Sequence, residues 1–362
     1  MADPQAMARE VIDLCHAQGF ARAGVCAARE SEHEAALRDW LAAGKHGSMG
    51  WLAERVEQRL DPGRFFEGAK SLILVADQYA SRAEGSGGRS EEAGARIGKV
   101  ARYARGDDYH IVMKKRLHAV CDALAARFPD ERFRAFVDTA PVLEREHAAR
   151  AGLGWIGKHT LLIDPERGSY LLLGGIATTL DLEAPAEQRR VEDHCGTCTR
   201  CIDACPTDAI TPWSVDATRC ISYLTIERRE MIDPGLFEGM GDWIFGCDVC
   251  QEVCPHNSAR AAGVRAGEVH PAYAPRREGF DLLEVLGWDE EARREAFRKS
   301  SMKRARLEMM KRNALIAAGN RLRVGDDAAL RRRIEEIAAD GAEDAMVRET
   351  AALVLASLSD RA

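Results

Sequence analysis

Eight cysteines crowd into one stretch of this 362-residue chain, between positions 195 and 254, out of eleven in all. The first run reads Cys195-x2-Cys198-x2-Cys201-x3-Cys205-Pro206. Thiolates at that spacing hold a cubane iron–sulfur cluster in bacterial ferredoxins, and the fourth cysteine serves the neighbouring cluster. Two-residue gaps make a tight loop that turns successive thiolates toward different corners of one cube. The three-residue gap begins a helix, and the proline then redirects the chain. The second run, Cys247-x2-Cys250-x3-Cys254-Pro255, supplies three thiolates, and Cys220 is the one cysteine left in the region. The crossover pattern therefore assigns Cys195, Cys198, Cys201 and Cys254 to one [4Fe–4S] cluster. Cys205, Cys220, Cys247 and Cys250 fall to a second. Zinc also takes Cys-x2-Cys pairs, but two zinc ions need neither the paired Cys-Pro endings nor the x2-x2-x3 run.

The other three cysteines, Cys15, Cys26 and Cys121, are dispersed and read as small buried apolar residues. Nothing at the N-terminus, Met-Ala-Asp-Pro, resembles an export signal. No apolar run approaches the roughly 18 residues of a membrane span, and the longest, Tyr170 to Leu180, reads as a buried strand. The expected location is the cytoplasm, where thiols stay reduced and disulfides are rare. The net charge of −7 conceals an asymmetry: Arg293 to Arg333 holds 14 Lys/Arg against 4 Asp/Glu. Positive charge concentrated in one region of an acidic chain suits a polyanionic partner.

The elements that must position these groups follow from periodicity. Helical spacing marks 4–18, 31–43 and 108–128, with a further helix expected from Pro141 to Ala151 and proline in its first turn. β-rich runs mark 20–27, 71–76, 132–137, 161–164 and 170–180. Residues 80–98 are Gly/Ser/Glu-rich and read as a mobile loop. The alternation argues for an α/β unit over 1–188. A two-cluster ferredoxin-like unit is expected over 189–262. A helical unit follows over 263–362, and its helices at 307–320, 330–339 and 346–358 resemble HEAT-type repeats across about two units.

Two clusters in series can conduct single electrons to an acceptor in the α/β unit. Neither a Gly-x-Gly-x-x-Gly fingerprint nor a phosphate loop occurs there, which argues against ordinary dinucleotide sites.

Several segments, in order along nearly the whole chain, carry a family resemblance. They are Lys70-Ser-Leu-Ile, Arg102-Tyr-Ala-Arg-Gly-Asp-Asp-Tyr-His110 and Phe136-Val-Asp-Thr-Ala-Pro-Val-Leu-Glu-Arg145. Ala151-Gly-Leu-Gly-Trp-Ile-Gly-Lys-His159, Cys220-Ile-Ser-Tyr-Leu-Thr-Ile-Glu227, Phe245 to Gln251 and Ser300-Ser-Met-Lys-Arg304 complete the set. In these the chain resembles the epoxyqueuosine reductases, the enzymes of the last step of queuosine synthesis in transfer RNA. The resemblance implies a reductive-dehalogenase-like α/β unit and a base-off cobalamin between it and the clusters. It implies reduction of the epoxide on a modified wobble guanosine to an alkene, with Asp138 as proton donor. A carboxyl near an apolar corrin face is expected to have a raised pKa.

Arg59, Leu143, Glu144, Arg145 and Lys158 align with positions that line the cobalamin, as do Arg219, Ile226, Gly246 and Cys247 in the cluster region. Arg229 aligns with a tRNA contact. The basic stretch would then meet an anticodon stem-loop. An unidentified low-potential donor would supply electrons, and nothing requires more than a monomer. The competing readings are a reductive-dehalogenase-like cobalamin enzyme and an iron–sulfur electron carrier without cobalamin.

Overall fold

The computed structural model describes residues 3–80, 96–258 and 269–359. Most of the expected 80–98 loop and the expected 262/263 boundary lie outside the described residues.

Four strands form the first sheet, in the order Arg22–Ala27, Ser71–Gln78, Leu171–Thr178, Phe133–Phe136. Every pairing is antiparallel. The alternation of helix and strand is therefore present, but the sheet it builds is that of an α+β unit. Strand Ser71–Gln78 is buried along its whole length because both faces are covered. Ile73 and Val75 pack with Val11 and Cys15 of helix Pro4–Ala17 and with Met113 and Leu117 of helix Tyr109–Arg127. Leu72, Leu74 and Ala76 pack on the other face with Ala148 and Ala149 of helix Glu144–Arg150. Each fully buried Val, Leu or Ile contributes about 1.5–3 kcal/mol, so this strand anchors the unit. Both long helices start on an aspartate cap. Asp3 accepts from Gln5 N, and Asp108 accepts from His110 N, meeting amides that lack a partner within the helix.

The helix expected from Pro141 begins three residues later, at Glu144. Residues 139–143 form a turn instead, so Pro141 precedes the helix rather than opening it. At Gly175 a Cβ would collide with the Ile73 carbonyl and the Phe136 ring. The bare backbone there lets Phe136 lie across the sheet and sets where residue 138 emerges.

A second sheet was not legible from periodicity. Its strands are Ile97–Val100, Trp243–Phe245 and Gly279–Asp281, with Ile97–Val100 in the middle. One strand comes from each of the three expected units. The core around it is continuous, running from Val100 through Phe245 and Phe280 to Leu315, Ile334 and Val354. Helices Leu307–Val324, Ala328–Ala339 and Ala345–Ser359 pack on one another as expected for a helical C-terminal unit.

Candidate functional site

The eight clustered cysteines separate into two groups in space. Cys195, Cys198, Cys201 and Cys254 line one cavity of about 180 Å³, together with Lys158, His159, His194, Arg200 and His256. Burial pushes the Cys254 thiol up to about 11, and Cys195, Cys201 and Cys198 add to the shift, as neighbours must. Cys205, Cys220, Cys247 and Cys250 form the other group. Burial raises Cys247 first, with Cys220 and Cys205 contributing, and raises Cys250 first, with Cys247 and Cys220 contributing ahead of Cys201 of the first group. Among the described residues no three His, Cys, Asp or Glu side chains converge on a single ion. The first four thiols line a common cavity, as a cube-shaped cluster requires. The short helices Arg200–Asp203 and Val249–Glu252 pack together and each leads into a Cys-Pro step. They direct Cys205 and Cys254 to opposite groups.

Lys158 is buried beside the first group, where its Nζ donates to the carbonyls of Gly196 and Cys198 at 2.7 and 3.0 Å. Arg219 is fastened to the second group's loop, with Nε donating to Thr207 O at 2.8 Å. Gly246 precedes Cys247 with φ +69°, and a Cβ there would sit 2.5 Å from the Ala101 Cβ. Its N–H donates to Thr225 Oγ1, one residue before the half-buried Ile226.

Asp138 stands at the end of strand Phe133–Phe136, on a left-handed backbone with φ +52°. A non-glycine residue there carries strain and marks functional positions. Three groups hold it. Its N–H donates to Glu144 Oε1 at 2.6 Å. His110 Nε2 lies 3.0 Å from its Oδ2. Tyr109, the first residue of helix Tyr109–Arg127, hydrogen-bonds the carboxylate.

The raised pKa expected for Asp138 is not found. Burial does push it up, but the side chain is still 55% exposed, and the bonds and charges of His110, Tyr109 and Arg304 bring it below the usual carboxylate range. The raised carboxyl is Glu144, pushed up to about 8 by burial and then by Asp138.

Around this pair the site is charged. Arg145 donates to the Thr160 carbonyl and hydroxyl at 2.6 and 3.1 Å. Arg59 is buried with its Nε unpartnered among the described residues, and Leu143 caps the helix that carries Glu144 and Arg145. Trp51 is 42% exposed, with the Arg59 and Arg304 guanidiniums 5.2 and 5.7 Å from its ring centre. Tyr103 connects the two halves of the site. A Cβ on Gly246 would lie 3.6 Å from its ring edge, and the Tyr103 and Tyr109 rings sit 6.1 Å apart. The turn before Cys247 and the Asp138 carboxylate therefore flank one aromatic residue.

The basic stretch is less of a surface than its composition suggested. Arg312 is fully buried, and Lys311 is buried against Glu343. Five exposed cations gather at Arg298, Lys299, Lys303, Arg304 and Arg306, and Arg294 and Arg332 are exposed before and after them in the chain. This segment borders the site, since Asp108 N donates to Lys299 O at 2.7 Å. Arg229 is exposed on the loop after helix Ile221–Ile226. Asp108, His110, Tyr103 and Trp51 are site residues that sequence reasoning missed. Asp108, Tyr109 and His110 lie in one of the family-like segments, but only the folded contacts of Tyr109 and His110 with Asp138, and of Asp108 with His110, reveal a role.

Comparison with known proteins agrees with this geometry. A family described as a 4Fe-4S double cluster binding domain matches residues 194–257. A second, described as "Epoxyqueuosine reductase QueG, DUF1730", matches residues 59–139. Epoxyqueuosine reductase of Leadbetterella byssophila is 40% identical over 82% of this chain and 93% of its own. That of Xanthomonas campestris is 40% identical over 88% of each. A crystal structure of epoxyqueuosine reductase with an epoxyqueuosine-modified tRNA-Tyr stem loop superposes with a TM-score of 0.84 at 28% identity, covering 98% of this chain and 91% of that one. No helix among the described residues is long and apolar enough to cross a membrane.

Proposed function

This chain belongs to the epoxyqueuosine reductase family of oxidoreductases, and from that premise we propose that it reduces epoxyqueuosine to queuosine at the wobble position of tRNA. Removing the epoxide oxygen to leave an alkene takes up two electrons and two protons and releases water. The observation that carries the reading is Tyr103, flanked by the Cys247 turn on one side and the Asp138 carboxylate on the other. Electrons arriving through the second cluster would emerge where a proton can be delivered.

The residues around Asp138 and Glu144 suit a cobalamin. Arg59 offers a buried Nε with no partner among the described residues. Arg145 brings further guanidinium donors, and both arginines suit amide carbonyls and phosphate. The tight Gly246 turn allows close approach from the cluster side. A bound cobalamin supplies a cobalt centre that accepts single electrons and reaches low oxidation states. In this reading Arg59, Leu143, Glu144 and Arg145 hold it from one side. Ile226, Gly246 and Cys247 hold it from the other, with Lys158 and Arg219 fixing the cluster loops behind. Cys195, Cys198, Cys201 and Cys254 hold the outer cluster, which takes electrons from a low-potential donor. Cys205, Cys220, Cys247 and Cys250 hold the inner one. Asp138 protonates the departing oxygen. The exposed cations at 298–306, with Arg229, face the phosphates of an anticodon stem-loop, and the C-terminal helices form a HEAT-like support for them.

Nucleoside mass spectrometry of tRNA from a deletion strain tests the proposal, with epoxyqueuosine accumulating and plasmid-borne protein restoring queuosine. Normal queuosine in the deletion strain, with no second reductase present, would refute it. Asp138→Asn should keep its iron and its corrin spectrum while losing turnover.

A further inference from the structure

An acid must carry a proton, yet the Asp138 carboxyl lies below the usual carboxylate range. The geometry shows where a proton is held instead. His110 stands between two carboxylates, with Nε2 3.0 Å from Asp138 Oδ2 and Nδ1 2.8 Å from Asp108 Oδ1. A neutral imidazole has one N–H and can donate to only one of them, whereas an imidazolium donates to both. The arrangement is stiff. Asp108 caps helix Tyr109–Arg127 by accepting from His110 N. The Tyr109 ring stacks on the imidazole, with centroids 4.0 Å apart.

We propose that His110 is the proton reservoir of this site, passing its Nε2 proton to Asp138 as Asp138 protonates the departing oxygen, while Asp108 holds the imidazole in register. The proposal rests on the reading of Asp138 as the acid. The His110 Nε2–H breaks as an O–H forms on the ionised Asp138, and that O–H breaks in turn as an O–H forms on the leaving oxygen. The neutral imidazole keeps its Nδ1–H on Asp108, and water returns a proton to Nε2, which the side chain's 26% exposure permits. Electrons come by the separate cluster route, and solvent supplies the second proton of the released water.

The surroundings favour the charged form. Burial alone would lower the His110 pKa, but the bonds and charges of Asp108 and Asp138 raise it to about 9. Glu144 faces the pair from helix Glu144–Arg150. Lys303 faces Asp108, and Arg304 faces Asp138, both from the basic segment. His110 first, and after it Lys303 for Asp108 and Arg304 for Asp138, bring the two carboxyls down.

Two measurements test the relay. In 13C-histidine NMR of the cluster-loaded protein, the resonance that vanishes in His110→Gln should report an imidazolium through pH 8. A neutral ring at pH 7 would overturn the proposal. In single-turnover assays His110→Ala should lose about 10²-fold or more of the rate with iron content unchanged, and added imidazole should restore part of it. Asp108→Asn keeps the ring but weakens its hold on the proton, so its rate should fall away at lower pH than in the wild type. Wild-type rate and pH profile in His110→Ala would refute the relay. If that variant fails to load iron, an unshifted profile in Asp108→Asn refutes it instead. Full activity in Asp138→Asn would count against the underlying reading of Asp138, not against the charge on His110.

Discussion

The Asp138 N–H donates to Glu144 Oε1 across 2.6 Å, closing the turn that holds Asp138 in its left-handed conformation. The Glu144 carboxyl is pushed up to about 8, by burial first and by Asp138 second. A carboxyl whose folded pKa exceeds its unfolded value contributes its stability below the unfolded value, about 4.3, and that stability is lost as pH rises through about 8. Glu144→Gln keeps an acceptor for the amide without the titration. Its melting temperature relative to wild type should climb between about pH 5 and pH 8 and then level off. A pH-independent difference in thermal melts would remove the shifted carboxyl.

Cys220 stands alone in the sequence but completes a group of four thiols with Cys205, Cys247 and Cys250. Cys220→Ser should cost roughly half the iron, one of two four-iron clusters, and spare the set around Cys254. Cys254→Ser should do the converse, so EPR of the two reduced variants should show different surviving signals. Identical spectra, or undiminished iron in either, would break the assignment.

Arg312 carries a charge into the core without exposing any of it. Its guanidinium donates to the carbonyls of Leu224, Arg228 and Glu230 at 2.6–2.7 Å. Asn313 beside it donates to Thr225 O and Ile244 O. Together they lock helix Leu307–Val324 onto the helix that follows Cys220 and the strand that precedes Cys247. Arg312→Met strands the buried Leu224 carbonyl, at a cost of about 1–3 kcal/mol, and leaves the half-buried Arg228 and Glu230 carbonyls without their donor. Arg312→Lys should recover only part, because an ammonium lacks the planar fork. Urea unfolding of the two variants should rank them in that order, both below wild type.

Five exposed cations of the basic stretch lie between Arg298 and Arg306. Replacing Lys303 and Arg306 by Ala should weaken binding of an anticodon stem-loop. It should also flatten the dependence of log K on log salt by about 0.7–0.9 for each phosphate that is no longer neutralised. Replacing Arg312, which the core consumes, would not be a fair probe of this surface. An unchanged slope in filter-binding titrations would place the RNA against another face of the protein.

The two-cluster domain was legible in the sequence because its chemistry is local. Gaps of two and three residues determine where neighbouring thiolates point, and a Cys-Pro step determines where the chain goes next. The long helices and buried strands were legible for a similar reason, since a period of 3.6 or a run of β-branched residues reports its own burial. Strand Ile97–Val100, four residues with a glycine and a lysine, carries no such period. It exists because Trp243–Phe245 and Gly279–Asp281 arrive on either side of it. Charge was read with the wrong sign of exposure at Arg312 for the same reason: composition counts cations but does not tell which ones the core consumes.

Asp138 shows the division most sharply. The family-like segment around it singles it out. Its partners lie 28 residues upstream, at His110, and 6 downstream, at Glu144. A proton's position depends on distances of about 3 Å between groups far apart in the chain, and only folding sets those distances. The sequence alone determined the spacing of eight thiols and the motif that contains Asp138. The tertiary structure decided that the Asp138 carboxyl lies below the usual carboxylate range, that its neighbour Glu144 is the one pushed up, and that His110 stands between the Asp108 and Asp138 carboxylates.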